Sequence, residues 1–455
     1  MESPKKPGDP RVPKERQRRR RHSVVTINPS DATLISDLSK QEDVFDLPLP
    51  RKRFSSSEDN PSPRKDIPLI DEVSSNMLES ALLVNFNQTM NDWNFGERGI
   101  WSTLFDDQNK LIHPNPLTLV TCRSLRLLKL FQSENLFLNE ATCWDYLLQI
   151  ESSYLTRHQV PYHNALHASD VVQTLYSTLK MDSVALSDLA LFALIIAGAV
   201  HDVAHPGLNN THLINSQNPL AVIYNDKSVL ENYHVSKAFS IMASNEKYDI
   251  LNGFKSQNKF EECRIFRSLV VDMVLATDLT YHFDQQAQFR IYATQRNNQV
   301  TEDDTSRSLS SSGSSSSTLP PQPTADNISL VCSTLLHAAD ISNVAKCWAS
   351  YKPWMDILFE EFFAQGDLER RNGMEIQPIM DREKCIPSNA QISFITKLVM
   401  PFYEVLSGFI PNTSQVALKY MEENVAKLQE LADADSKARL PVLKEVEEER
   451  EEPSE

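Results

Sequence analysis

Glycine is scarce, with 10 among 455 residues, and no two are spaced Gly-x-Gly. The Gly-rich phosphate loops of dinucleotide-binding and P-loop folds are excluded, because both bring backbone against phosphate through closely spaced glycines. Long apolar runs are also missing. The longest uncharged one, 189–200, has 12 residues, whereas a membrane-spanning helix needs roughly 20. No secretory signal opens the chain. The six cysteines, Cys122, Cys143, Cys263, Cys332, Cys347 and Cys385, form no C-x-x-C pair. Neither a zinc knuckle nor a disulfide framework is suggested, and a reducing cytoplasmic setting is expected. An excess of positive charge is lacking too: the formal net charge is −16. Duplex binding depends on Lys and Arg neutralising phosphates, so nucleic acid is not expected as a partner.

The charge that is present is unevenly spread. The first 25 residues carry nine Lys or Arg against three acids, while the last 15 carry seven Glu against Lys444 and Arg450. Residues 1–72 read as a disordered, basic, Ser/Pro-rich region whose charge would attract it peripherally to membranes, and 436–455 as an acidic tail. Between 306 and 317 nine of twelve residues are Ser, followed by Leu319-Pro320-Pro321-Gln322-Pro323. A disordered surface insertion over 301–327 is expected.

The remainder, 73–435, has a helical pattern. Stretches 171–181, 186–200, 266–279 and 354–363 place apolar residues three and four apart, and period-two alternation is scarce. No repeat of fixed period emerges. The expectation is an all-α fold, one large multi-helix domain.

Four of the eleven His fall within 43 residues. His163 and His167, following Pro161, would share a helix face at i and i+4, with Asp170 a turn beyond. Taken alone they read as two satisfied surface histidines. His201-Asp202-Val203-Ala204-His205-Pro206-Gly207 sits where an apolar helix runs out at Pro206-Gly207. Delivering an imidazole and a carboxylate from a buried helix is costly unless they are paired or bind a metal. A third segment, Leu336-His337-Ala338-Ala339-Asp340, also carries a carboxylate inward on an apolar helix. His, His, Asp and Asp from three segments suit two-metal phosphoester hydrolysis.

Together with Leu230-Glu231-Asn232-x-His234, Thr277-Asp278, Glu360-Glu361-Phe362-Phe363-x-Gln365-Gly366-Asp367 and Gln391-x-x-Phe394, these segments resemble, in order, the catalytic domain of class I 3',5'-cyclic nucleotide phosphodiesterases. The resemblance implies an all-α domain of the HD type binding two divalent ions per subunit, Zn2+ and Mg2+ (or Mn2+). It implies His167, His201, Asp202 and Asp340 as metal ligands, with Asp170, His205, Glu231, His234 and Thr277 behind them. It further implies a bridging hydroxide as nucleophile, His163 as general acid oriented by Glu361, and a nucleotide pocket formed by Tyr162, Asn343, Leu358, Phe362, Gln391 and Phe394. On residue pattern alone, Leu358, Phe362 and Phe394 fit an ordinary core stripe, and Asn343 fits a cap of the following helix.

Three positions depart from the family pattern: Ala204 where a second Asp is frequent, His212 where an apolar residue is usual, and Tyr233 in place of the first of a His pair. The expected activity is hydrolysis of cyclic nucleotide to the 5'-nucleotide, with cAMP favoured. The alternatives are dual cAMP/cGMP specificity, another HD-type metal phosphohydrolase, or an inactive scaffold. Arg20-Arg21-His22-Ser23 and Lys52-Arg53-Phe54-Ser55 resemble basophilic kinase sites, which makes Ser23 and Ser55 candidate phosphorylation positions.

Overall fold

The structure, a computed structural model, describes residues 86–106, 108, 111–308 and 323–451. The region 1–72, with Ser23 and Ser55, lies outside the described residues, as does 309–322 of the expected insertion. Among the described residues there is no strand, only an isolated bridge between Phe105 and Leu111. The principal helices are α1 (Pro116–Leu127), α2 (Glu140–Ser153), α3 (Ala165–Asp182), α4 (Asp188–Val200), α5 (Asn210–Asn215), α6 (Val229–Ser244), α7 (Phe260–Leu275), α8 (His282–Ser308), α9 (Ala325–Asp340), α10 (Trp348–Arg371), α11 (Pro387–Phe394), α12 (Met400–Leu406) and α13 (Pro411–Glu451). No described helix is long and apolar enough to cross a membrane.

Helix α4 organises the core. Ser187 caps it by accepting from the Ala190 amide, and Asp188 complements the positive end of its dipole. The helix is apolar on all sides and is therefore surrounded: every residue from Phe192 to Val200 is buried. α3 and α7 pack against it, α1 packs on α3, and α9 packs on α7. α3 and α4 approach closely at Gly198, where an added Cβ would lie 2.8 Å from Leu175 Cδ1. Each fully buried Leu, Ile or Phe contributes about 1.5–3 kcal/mol. Packing of this kind, more than intrinsic propensity, holds such helices.

Several boundaries differ from the sequence expectation. α7 stops at Leu275, because Asp278 starts a separate 3-10 turn by accepting from the Thr280 amide at 2.9 Å. α8 runs through Ser308 and α9 begins at Ala325, so residues 301–308 and 325–327 are helical. α13 continues to Glu451, so the acidic stretch from 436 prolongs a helix as far as 451, consistent with the good helix propensity of Glu.

Candidate active site

α3 brings the first histidine pair, but not as two positions on one helix face. The helix starts at Ala165 because the Asn164 side chain accepts from the Leu166 amide, while its Nδ2 donates to the carbonyls of Val160 and Pro161. His163 therefore precedes the cap and only His167 is helical. Their rings still meet, with centroids 5.9 Å apart. Asp170, one turn on, is buried, and its Oδ1 has no hydrogen-bond partner among the described residues.

The second pair also lies outside its helix. α4 ends at Val200, not at Pro206-Gly207, and His201 is its C-cap. The chain then turns through Ala204 at φ +63°. His201 Nδ1 donates to the Gly198 carbonyl at 2.9 Å, which in the neutral ring leaves the lone pair on Nε2. That Nε2 faces Asp202 Oδ2 at 3.2 Å, Asp340 Oδ1 at 3.3 Å and His167 Nε2 at 3.3 Å. His167 Nε2 lies 2.9 Å from Asp340 Oδ1, delivered by the last residue of α9, and 3.6 Å from Asp202 Oδ2. One ligand-type atom from each of these four side chains falls within 4.8 Å of the others. Buried nitrogen lone pairs and carboxylate oxygens facing one another call for a cation, and this donor set fits a divalent metal.

Asp202 addresses two sides. Its Oδ2 belongs to that cluster, while Oδ1 lies 3.7 Å from His234 Nε2. Asp202, His205 and His234 form a second group able to hold a metal. His234 Nδ1 donates to the Val203 carbonyl at 2.8 Å, and burial lowers the His234 pKa to about 4. Burial, and then the His163 charge, lowers His205 to about 3. Both rings are thus neutral at physiological pH, as a ligand or its neighbour must be. Burial raises the Glu231 carboxyl to about 7, partly offset by hydrogen bonds from Asn210 Nδ2 at 2.9 and 3.2 Å. The Thr277 hydroxyl donates to the Val274 carbonyl at 2.8 Å.

Glu361, buried on α10, holds His163. Its Oε1 lies 2.5 Å from His163 Nδ1, and its Oε2 accepts from the amides of Tyr162 and His163 at 2.8 and 3.1 Å. Burial alone would lower the His163 pKa, but the facing carboxylate outweighs it and raises it to about 9. Reciprocally, burial would raise Glu361, but the His163 charge pulls it down to about 2. The pair is therefore an imidazolium and a carboxylate, and the His163 ring stacks on His205 at 4.2 Å.

A cavity of about 440 Å³ opens over these groups. His163, Asp202, His205, Glu231, His234, Thr277, Asp340 and Glu361 all reach it, whereas His167, His201 and Asp170 sit behind. Leu358, Phe362 and Phe394 line the cavity and also pack on the core. Gln391 Oε1 accepts from the Tyr351 hydroxyl at 2.8 Å, and Asn343 Nδ2 donates to the Tyr162 hydroxyl at 2.7 Å. Asn343 lies in the 3-10 turn Ser342–Ala345, while the cap of α10 is Cys347, so Asn343 does not cap that helix. Sequence reasoning missed Tyr351, Asn209 and Gln377. A signal existed only for Asn209, an Asn just before a short helix. A larger cavity of about 800 Å³ beside Trp101, Arg157 and Asp356 contains none of the metal-type clusters.

A sequence model of the 3'5'-cyclic nucleotide phosphodiesterase family matches residues 162–421, a span that contains the His/Asp cluster and every residue lining the 440 Å³ cavity. The chain belongs to this family. It is 33% identical over 322 residues to the probable 3',5'-cyclic-AMP phosphodiesterase pde-4 of Caenorhabditis elegans, covering 70% of this chain and 43% of that protein. It is 35% identical over 254 residues to the dual specificity calcium/calmodulin-dependent 3',5'-cyclic nucleotide phosphodiesterase 1C of Mus musculus, covering 55% of this chain and 32% of that one. The chain thus spans less than half the length of both relatives. Among solved structures, the phosphodiesterase domain of the RhoPDE fusion protein from the choanoflagellate Salpingoeca rosetta superposes with a TM-score of 0.62 at 25% identity, covering 78% of this chain and 99% of that one. Phosphodiesterase membership accounts for the all-α architecture, and the His/Asp cluster is compatible with divalent-metal binding.

Proposed function

We propose that the chain hydrolyses 3',5'-cyclic nucleotides to 5'-nucleotides, preferring cAMP, and that residues 73–435 contain what the chemistry needs. The observation that carries this is the convergence of His167, His201, Asp202 and Asp340 beside the Glu361–His163 pair at one cavity. Those four would hold one divalent ion, zinc, and the Asp202 side a second, magnesium or manganese, and such ions would supply Lewis-acid charge to the reaction. Asp202 would contribute to both positions, Oδ2 to the first and Oδ1 to the second, with His205, Glu231, His234 and Thr277 around the second. Asp170 supports His167 from behind. His163 keeps Nδ1 on Glu361 and donates its Nε2 proton to the leaving 3' oxygen. Leu358, Phe362 and Phe394 enclose the purine, and Gln391 hydrogen-bonds its edge.

Two placed amides support the preference for cAMP, Asn343 carrying the discrimination. In the observed rotamer Tyr351 donates to Gln391 Oε1, so Nε2 is the end that faces the base as a donor. Tyr162 holds Asn343 Nδ2, which leaves Oδ1 as an acceptor. An acceptor there pairs with the exocyclic amine of adenine and opposes the carbonyl that guanine carries in its place. Comparing kcat/KM for cAMP, cGMP and a nucleoside triphosphate tests the activity and the preference together. Equal values for the two cyclic nucleotides would indicate dual specificity, and turnover of the triphosphate alone another HD-type reaction. Cytoplasmic location is supported by six free cysteines. Phosphorylation of Ser23 and Ser55 by a basophilic kinase is supported by the basic residues before each.

A further inference from the structure

His212 and Glu369 are 4% and 2% exposed, and His212 Nδ1 lies 3.0 Å from Glu369 Oε1. Neither belongs to the metal clusters or reaches the cavity. A buried carboxylate is costly unless its oxygens are satisfied. Here Oε1 takes two partners, His212 Nδ1 and, at 2.8 Å, Gln365 Nε2, while Oε2 is buried without one. So incompletely satisfied a cluster is expensive to keep for packing alone.

What the pair holds is a set of amides. Gln365 Oε1 accepts from the Asn209 backbone amide at 2.9 Å, and Gln365 Nε2 also donates to Asn209 Oδ1 at 3.0 Å. Asn209 Oδ1 accepts from the His212 backbone amide at 2.9 Å, and Asn209 Nδ2 donates to Gln377 Oε1 at 3.2 Å. Asn209, Gln365 and Gln377 all line the cavity. A side-chain amide has two orientations that exchange donor for acceptor. A carboxylate only accepts, so Glu369 admits only the NH2 end of Gln365.

We propose that His212 and Glu369 are positioning residues for substrate binding: the imidazole fixes the carboxylate, the carboxylate fixes Gln365, and through Asn209 they set the donor and acceptor pattern that a bound nucleotide meets. This rests on the phosphodiesterase reading of the cavity. A polar wall away from the reacting bond serves substrate and transition state alike, so its loss raises KM and spares kcat.

The test uses the full chain. His212→Leu alone strands a buried carboxylate and endangers folding. The deciding variant is therefore the double substitution His212→Leu with Glu369→Leu, which removes both polar groups. His212→Asn, whose Nδ2 replaces Nδ1 as donor, is its companion. The double variant is expected to melt within a few degrees of the parent and keep kcat within about twofold, while KM for cyclic nucleotide and the calorimetric Kd for AMP rise about tenfold. His212→Asn is expected to keep both within about threefold of the parent, because it retains the donor. Parent KM and Kd in the folded double variant would overturn the proposal, as would a fall in kcat with KM unchanged. The AMP measurement needs no turnover. A parent that binds AMP but hydrolyses no cyclic nucleotide would sink the phosphodiesterase reading and still let the AMP Kd decide the role of His212 and Glu369.

Discussion

Glu361 grips His163 twice, with Oε1 on the ring at 2.5 Å and Oε2 on the backbone amide at 3.1 Å. One carboxylate thus fixes both the position of the imidazole and the nitrogen it leaves free. Removing the ring by His163→Ala is expected to lower kcat by about a hundredfold to ten-thousandfold with metal content unchanged. Glu361→Gln, which keeps an acceptor but no charge, should cost less. Metal analysis beside kcat separates the roles, since loss of metal in His163→Ala would make it a ligand.

Tyr351 offers a handle on the proposed base selection that leaves the proposed metal ligands and His163 untouched. Tyr351→Phe keeps the ring and deletes the hydroxyl donating to Gln391 Oε1. Freed to rotate, Gln391 can present either end, and the ratio of kcat/KM for cAMP over cGMP is expected to shrink by about tenfold, roughly 1.4 kcal/mol. An unchanged ratio would mean that the hydroxyl does not set the amide.

Gly366 is in the Gln-Gly-Asp motif for a packing reason. A Cβ on it would lie 1.9 Å from the Met380 carbonyl oxygen, a backbone atom with nowhere to move. Gly366→Ala is expected to destabilise by about 1–3 kcal/mol or more despite the better helix propensity of Ala, as a lowered melting temperature would show.

Lys346 is fully buried, donates to the Trp93 carbonyl and sits 4.1 Å from the Trp93 ring centroid. Burial, partly offset by Asp170 and Asp92, lowers its pKa to about 8 from 10.5. The unfolded chain therefore binds more protons between pH 8 and 10.5, and this residue makes stability rise with pH across that window. The gain should be on the order of 3 kcal/mol. Denaturant titrations should show the rise in the parent and a flatter profile in Lys346→Met. Equal slopes would mean that Lys346 titrates normally.

How much was legible in the sequence depended on distance along the chain. Buried helices such as α4 announce themselves through local periodicity, and the adjacent His201 and Asp202 at the end of α4 mark part of the proposed metal cluster. Where Asn164 caps α3, the local signal misled: a run that reads as one helical face is split by a side chain competing for the Leu166 amide. The grip of Glu361 on His163 spans 198 residues, and that of Tyr351 on Gln391 spans 40. The first came through family resemblance and the second not at all, since no local pattern encodes a long-range hydrogen bond. The same holds for His212 and Glu369, which were visible only as one unusual residue and one glutamate in a helix.

The most direct test of the metal-dependent hydrolysis is to measure, on one preparation each of the parent and Asp340→Ala, bound divalent metal and cAMP turnover, before and after chelation. The parent should carry metal, lose turnover on chelation and regain it on metal addition. Asp340→Ala should be depleted of metal and inactive throughout. Full metal content and parent turnover in Asp340→Ala would contradict the assignment of His167, His201, Asp202 and Asp340 as the metal-holding core of the site.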